Sequence, residues 1–122
     1  MEHELYRELI IGHYTSPCNF GRLEEPTHQY HIDNPVCGDA LDVELCVQDA
    51  VLTDIAFSGE GCAISMAAAS LLTEDVKGQS LDAVRAWEEA DMFALLEVPI
   101  TYTRRKCALL CYTALQQVIE EQ

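Results

Sequence analysis

The chain has 122 residues, 49% of them hydrophobic and 23% charged, and its 21 acids against 7 bases give a formal net charge of −14. That length predicts one domain over residues 1–122 with a single packed core. The acidic excess excludes nucleic acid and anionic lipid as partners, and no apolar run approaches the roughly 20 residues that span a bilayer.

The N-terminal MEHELYRELI carries acids where a secretory leader needs bases, so a cytoplasmic protein is expected. Residues 2–14 predict a helix, because Leu5, Leu9 and Ile10 share one face. From Thr15 to Pro26 a loop is expected, broken by Ser-Pro, Asn and Gly. Gln29 to Ile32 offers a short strand. In LDVELCVQ, Leu41, Val43, Leu45 and Val47 alternate with Asp42, Glu44, Cys46 and Gln48, the period of a half-buried strand. VLTDIAFS alternates too, with Val51, Thr53, Ile55 and Phe57 assigned to one face. The link around Gln48 to Ala50 is short enough for an antiparallel hairpin.

After Gly59 the pattern becomes helical. AISMAAASLLTEDV predicts a helix starting near Cys62, and Gly78-Gln79-Ser80 ends it. Ser80 is expected to cap a helix over Leu81 to Glu89, and Asp91 to Leu96 a further short one. Cys107, Leu110, Cys111, Ala114, Leu115 and Val118 recur at three- and four-residue steps, with Ile119 extending the stripe. They predict a long amphipathic C-terminal helix. Strands first and helices afterwards argue for an α+β fold.

Six cysteines in a reducing compartment serve metals, catalysis or the core more readily than disulfides. Three stand at junctions. Cys37 lies in NPVCGD, a turn stiffened by Pro35 and sharpened by Gly38, which leaves room between Cys37 and Asp39. Cys62 lies in SGEGC, where a strand gives way to a helix; Gly61 lets the backbone approach closely, and a helix N-terminus favours the thiolate. Cys107 follows Arg104, Arg105 and Lys106, three of the seven bases. Nearby cations stabilise a thiolate, although such a run also serves as a solvated face or a docking patch. Cys111 and Cys46 read as packing residues, and Cys18 as a loop residue without evident chemistry.

Three thiolates and one carboxylate suit a tetrahedral zinc, or iron bound to sulfide. Yet C-x-D followed by gaps of 22 and 44 residues matches no zinc finger, so spacing leaves the bland readings of each cysteine open.

The motifs resemble those of the U-type iron–sulfur cluster assembly proteins: IscU, SufU and the N-terminal domain of NifU. LYRELIIGHYTSPCNFG is similar to the family's opening helix and its HY-x-x-P-x-N-x-G loop. NPVCGD, SGEGCAIS and RRKCALL resemble its three cysteine motifs, in order, over almost the whole chain. The resemblance implies a three-stranded antiparallel sheet packed against several helices, with N-terminal and long C-terminal helices. It implies one metal site from Cys37, Asp39, Cys62 and Cys107, with Gly38, Gly61, Arg105 and Lys106 supporting it. That site would accept sulfur from a cysteine desulfurase of the SufS or IscS type, with Cys37 as acceptor. It would hold zinc or iron and a transient 2Fe-2S cluster for apo iron–sulfur proteins, with Asp39 keeping the bound metal releasable.

Two departures from the family pattern stand out. Lys106 occupies the place of the histidine that IscU-type members carry before the third cysteine, which resembles SufU. The 44 residues between Cys62 and Cys107 leave no room for the SufU insertion, which resembles IscU. LEVPITYTRRKC lacks the LPPVK-like segment read by a dedicated Hsp70 chaperone, so that partner is not expected. The leading expectation is a non-enzymatic scaffold. Its alternatives are a SufU-like zinc-dependent sulfurtransferase partner, a structural zinc-binding interaction domain and a metal-free α+β domain.

Overall fold

Leu41, Val43 and Leu45 alternate with polar residues along one strand, and each is at most 1% exposed. That strand is the middle of a three-stranded sheet in the computed structural model, which describes residues 2–34 and 38–120, with side chains from residue 7 onward. In chain order the elements are α1 (Glu2–Thr15), β1 (His28–Asn34), β2 (Asp39–Gln48), β3 (Val51–Glu60), α2 (Ala63–Val76), α3 (Leu81–Arg85), α4 (Glu89–Leu96), a 3-10 turn (Tyr102–Arg104) and α5 (Arg105–Glu120). The strands run antiparallel in the order β1-β2-β3. The α+β arrangement of strands followed by packed helices matches the sequence-based expectation.

The β2–β3 hairpin turns through Asp49 and Ala50, which have φ of 53° and 61°. Two successive residues in that region make the tight turn that matches strand twist. The buried face of β3 follows the expected one at Ile55 and Phe57 and departs from it at Val51 and Thr53. Leu52, Ile55 and Phe57 are buried, whereas Thr53 is exposed and Val51 only half-buried. The register steps from Cys46↔Asp54 to Val47↔Leu52, so Thr53 is an extra residue in the ladder. Such a bulge shifts the alternation by one position, which a strict period of two cannot anticipate. Glu44 is the other departure on the sheet. It is 5% exposed because its carboxylate accepts the Leu23 amide at 2.7 Å and faces Arg22 at 3.4 Å. A buried charge is tolerated when it is paired in this way, and here it fastens the loop before β1 across the sheet.

α2 is apolar nearly all round. Ala67, Ala68, Ala69, Leu72 and Val76 are fully buried, as expected of a central helix, and α2 packs between α1 and α5. The predicted stripe on α5 is buried as a whole, from Cys107 through Leu110, Cys111, Ala114 and Leu115 to Ile119. Ser80 caps α3 by accepting the Ala83 amide, as expected. The helix stops at Arg85, short of the expected Glu89, because Glu88 and Asp91 form a reciprocal capping box that starts α4 instead. On α1, Ile10 is buried; the Leu5 side chain lies outside the described residues.

At one end of the sheet three junctions meet. β2 begins at Asp39, β3 ends at Glu60 beside Ala40, and Gly61 and Cys62 lead into α2. Ala50, at the opposite end, has a left-handed conformation that costs an L-residue roughly 1–2 kcal/mol. Ala50→Gly is therefore expected to raise unfolding stability by about 1 kcal/mol in urea titrations. A variant no more stable than the parent would show that the turn carries no such strain.

Candidate metal centre

Asp39 is the first residue of β2 and is 3% exposed. Its Oδ1 accepts the backbone amide of Cys62 at 3.0 Å. Cys62 is the N-cap residue of α2, with extended backbone at φ −71° and ψ 169°. The carboxylate thus satisfies an amide at a helix start and fixes the cysteine beside it. Among the described residues Oδ2 of Asp39 has no hydrogen-bond partner, although it is buried.

Cys107 reaches the same place from the first turn of α5, where it is fully buried. One ligand atom each from Asp39, Cys62 and Cys107 lie within 4.8 Å of one another. Gly61 leaves room for Ser65: a Cβ there would clash with Ser65 Oγ and touch the Asp39 carboxylate at ordinary contact distance. Gly38 supplies the preceding turn, with φ of +74° and its amide donating to the Asn34 carbonyl at 2.8 Å. Cys37 lies outside the described residues.

Burial acts to raise the pKa of the Cys62 thiol, but the amide and hydroxyl of Ser65 and a hydrogen bond with Cys107 outweigh it. The net effect lowers that pKa, against the opposing charge of Asp39. Arg104 faces both sulfurs from the 3-10 turn. The Cys62 charge is the largest influence raising its own pKa, followed by hydrogen bonds with Cys107 and Cys62. Arg104 was one member of the basic run in the sequence; its placement three residues before Cys107 puts it over the two sulfurs. The other two bases go elsewhere. Arg105 lies over the Phe93 ring at 4.5 Å, and Lys106 lines a groove with Ile32, Asn34 and Leu109. Ser65, fully buried and donating to the Cys62 carbonyl at 3.0 Å, was not singled out by sequence. Its position three residues after a helix-capping cysteine is the signal that could have found it.

The remaining cysteines sit apart from this cluster. Cys111 is fully buried, and burial pushes its thiol up to about 12. The Cys46 sulfur approaches the Glu25 carbonyl at 3.6 Å. Cys18 is half-buried, and its amide is held by Ser70 Oγ at 2.7 Å.

A lone buried carboxylate oxygen is costly unless it meets a donor or a cation. Two sulfurs beside it form a mixed soft and hard donor set, which fits zinc or iron better than calcium or magnesium.

The sequence profile of the NifU-like N terminal domain matches residues 5–121. The chain is 30% identical to the zinc-dependent sulfurtransferase SufU of Bacillus subtilis, covering 97% of this chain and 91% of that protein. It is 32% identical to the iron-sulfur cluster assembly scaffold protein IscU of Escherichia coli, covering 95% of this chain and 92% of that one. Among solved structures, a NifU-like protein (N-terminal) from Brucella abortus superimposes with a TM-score of 0.78 at 25% identity, over 96% of this chain and 95% of that one. A putative scaffold protein for the SUF system from Fervidobacterium islandicum gives 0.82 at 22% identity, over 96% and 98%, a likeness of fold.

Because Arg104 and Ser65 favour its thiolate, Cys62 of metal-free protein is expected to react with iodoacetamide at a lower pH than an ordinary thiol. Cys111 should stay unmodified until the protein unfolds. Arg104→Glu should move the Cys62 onset to higher pH. Mass spectrometry of peptides alkylated across a pH series measures all three, and an unmoved Cys62 onset would remove Arg104 from the site.

Proposed function

The chain belongs to the NifU-like N terminal domain family, and from that premise we propose that it is a scaffold for iron–sulfur cluster assembly. It accepts sulfur from a cysteine desulfurase and holds iron or zinc, and a labile 2Fe-2S cluster, as cargo. The observation that carries this reading is the convergence of Asp39, Cys62 and Cys107, with Asp39 Oδ2 buried and unpartnered among the described residues. Cys37 is proposed as the fourth ligand and as sulfur acceptor. It is two residues from Asp39, and the Gly38 turn precedes the carboxylate directly.

The residues divide the work. The Cys37 thiolate attacks the outer sulfur of the donor's persulfide; a new S–S bond forms on Cys37 and the donor leaves as a thiolate. Arg104 faces the sulfurs of Cys62 and Cys107, and Ser65 favours the Cys62 thiolate, which suits the pair to hold a soft cation. When bound, a metal ion supplies a positive centre that keeps these thiolates deprotonated. Asp39 contributes a harder, more exchangeable oxygen, so what is bound can leave. Gly38 and Gly61 let the backbone close round the site, and Arg104 supplies the cation that faces the sulfurs.

A second reading has its own support. The similarity to a zinc-dependent sulfurtransferase, with Lys106 where a histidine ligand stands in IscU-type members, favours a zinc-holding sulfur acceptor that builds no cluster. Anaerobic reconstitution with iron, cysteine and a desulfurase separates the two. A visible-absorbing cluster that transfers to an apo-ferredoxin is expected. Desulfurase stimulation with zinc retained and no cluster formed would favour the second reading, and no response of any desulfurase would leave a structural zinc domain.

Asp39→Ala is expected to slow cluster loss several-fold, as followed by the decay of visible absorbance. Stability should fall at the same time by about 1–3 kcal/mol, because the Cys62 amide loses its acceptor. Faster cluster loss in a still-folded variant would contradict the role given to Asp39.

Arg104→Glu is expected to reduce sulfur uptake from a desulfurase at least about tenfold, equivalent to ~1.4 kcal/mol. Arg85→Glu is the control, since Arg85 pairs with Asp82 at 3.0 Å. Equal losses in the two variants would reduce the basic run to ordinary surface.

A further inference from the structure

Asn34 ends β1 and Asp39 begins β2, and the two stand directly opposite each other in the ladder. The Gly38 amide donates to the Asn34 carbonyl at 2.8 Å, so the turn between the strands closes on this pair. Alternation places both side chains on the inner face of the sheet, Asn34 with Ile32 and Asp39 with Leu41. The start of α5 lies against them. Leu110 lines the same groove as Asn34, and Cys107, one turn earlier, meets Asp39.

Both residues are more than nine-tenths buried, at 6% and 3% exposure. Each keeps one polar atom without a partner. On Asn34 it is Nδ2, a donor; on Asp39 it is Oδ2, an acceptor. Among the described residues these are the two buried side-chain atoms left in that state. An orphan of either sort is costly, and Nδ2 is closed off from solvent, so its acceptor has to come from within the chain. Oδ1 of Asp39 is already taken by the Cys62 amide at 3.0 Å. The two orphans therefore belong to facing residues and have opposite needs. Directly opposed residues have Cβ atoms roughly 4.5–5.5 Å apart, which lets an amide and a carboxylate meet. The terminal torsion of asparagine is broad, so a turn of the amide brings its N–H to Oδ2.

We propose that Asn34 is a positioning residue for the Asp39 ligand: its Nδ2 donates to Oδ2 and, with the Cys62 amide on Oδ1, holds the carboxylate by both oxygens. A carboxylate oxygen accepts at more than one site, so Oδ2 keeps a lone pair for a metal ion. Ligating carboxylates are held in this way by groups that do not touch the metal, and losing such a group costs roughly 10–100-fold in affinity. The inference rests on Asp39 being a ligand, as proposed above, and adds the end of β1 to the support of the site.

Two measurements test it. In the metal-free, chelator-treated full chain, the Asn34 side-chain amide is followed in ¹⁵N spectra. Asp39→Ala is expected to shift its resonances and speed their exchange with solvent, while those of the other asparagine, Asn19, stay in place. This arm leaves Asn34 intact, so it does not depend on how an Asn34 variant folds. Zinc affinity is then measured by chelator competition in a double-mutant cycle, each variant having first shown a native backbone spectrum. Asn34→Ala should weaken zinc binding at least about tenfold when Asp39 is present. In the Asp39→Ala background the same change should cost less than about twofold, because the group it acts through is gone. An Asn34 amide that ignores Asp39→Ala, or equal losses in the two backgrounds, would overturn the proposal and leave Asp39 as a ligand. Zinc affinity unchanged by Asp39→Ala alone would overturn both.

Discussion

The carboxylate of Asp39 belongs to two structures at once. Its Oδ1 takes the amide of Cys62 at the start of α2, tying the first residue of the central strand to the N-cap of the central helix. Its Oδ2 is buried with no partner among the described residues. One side chain therefore closes the sheet–helix junction and keeps a second, unpartnered oxygen on a carboxylate that stands within 4.8 Å of two sulfurs. Helix starts have spare amides, and a carboxylate is a strong acceptor for them. That bond works with those from the Ser65 hydroxyl and the Met66 amide to the Cys62 carbonyl, which hold Cys62 beside Asp39.

The surrounding fold keeps this junction in register. β2 is held on both sides, by β1 and β3, and its inward residues are among the most buried in the chain. α5 brings Cys107 to the same end because its stripe packs along its whole length. At Gly61 the missing side chain leaves room for the Ser65 hydroxyl beside Asp39. The site is thus rigid where it touches the core and open where Arg104 covers it from the exposed 3-10 turn. That combination suits cargo that must be gripped by sulfur and still be released.

Charge is distributed to the same end. The chain is strongly acidic, but three of its seven bases stand in succession before Cys107. The structure separates them by task. Arg104 turns to the sulfurs, Arg105 stacks on Phe93, and Lys106 faces the groove beside β1. Adjacent residues at a helix start point about 100° apart, so one short run can serve three directions.

Much of this was legible in the sequence. Period-two alternation identified β2, and the three- and four-residue spacing identified α5, because burial on one face imposes those periods directly. The cysteine motifs carried the family resemblance and picked out Cys37, Asp39, Cys62 and Cys107, of which the described residues bring the last three together. Other features depended on tertiary contacts. The bulge at Thr53 moved burial from Val51 and Thr53 to Leu52 while Ile55 and Phe57 stayed buried, and a capping box at Glu88 and Asp91 ended the helix begun at Leu81 earlier than its composition implied. Glu44 is buried only because a distant loop brings it an amide. The same holds for the centre itself. Residue types and local turns follow from neighbouring residues, so the sequence determines them. The meeting of residues 39, 62 and 107 within 4.8 Å is a property of how the sheet and two helices close, and only the folded chain decides it.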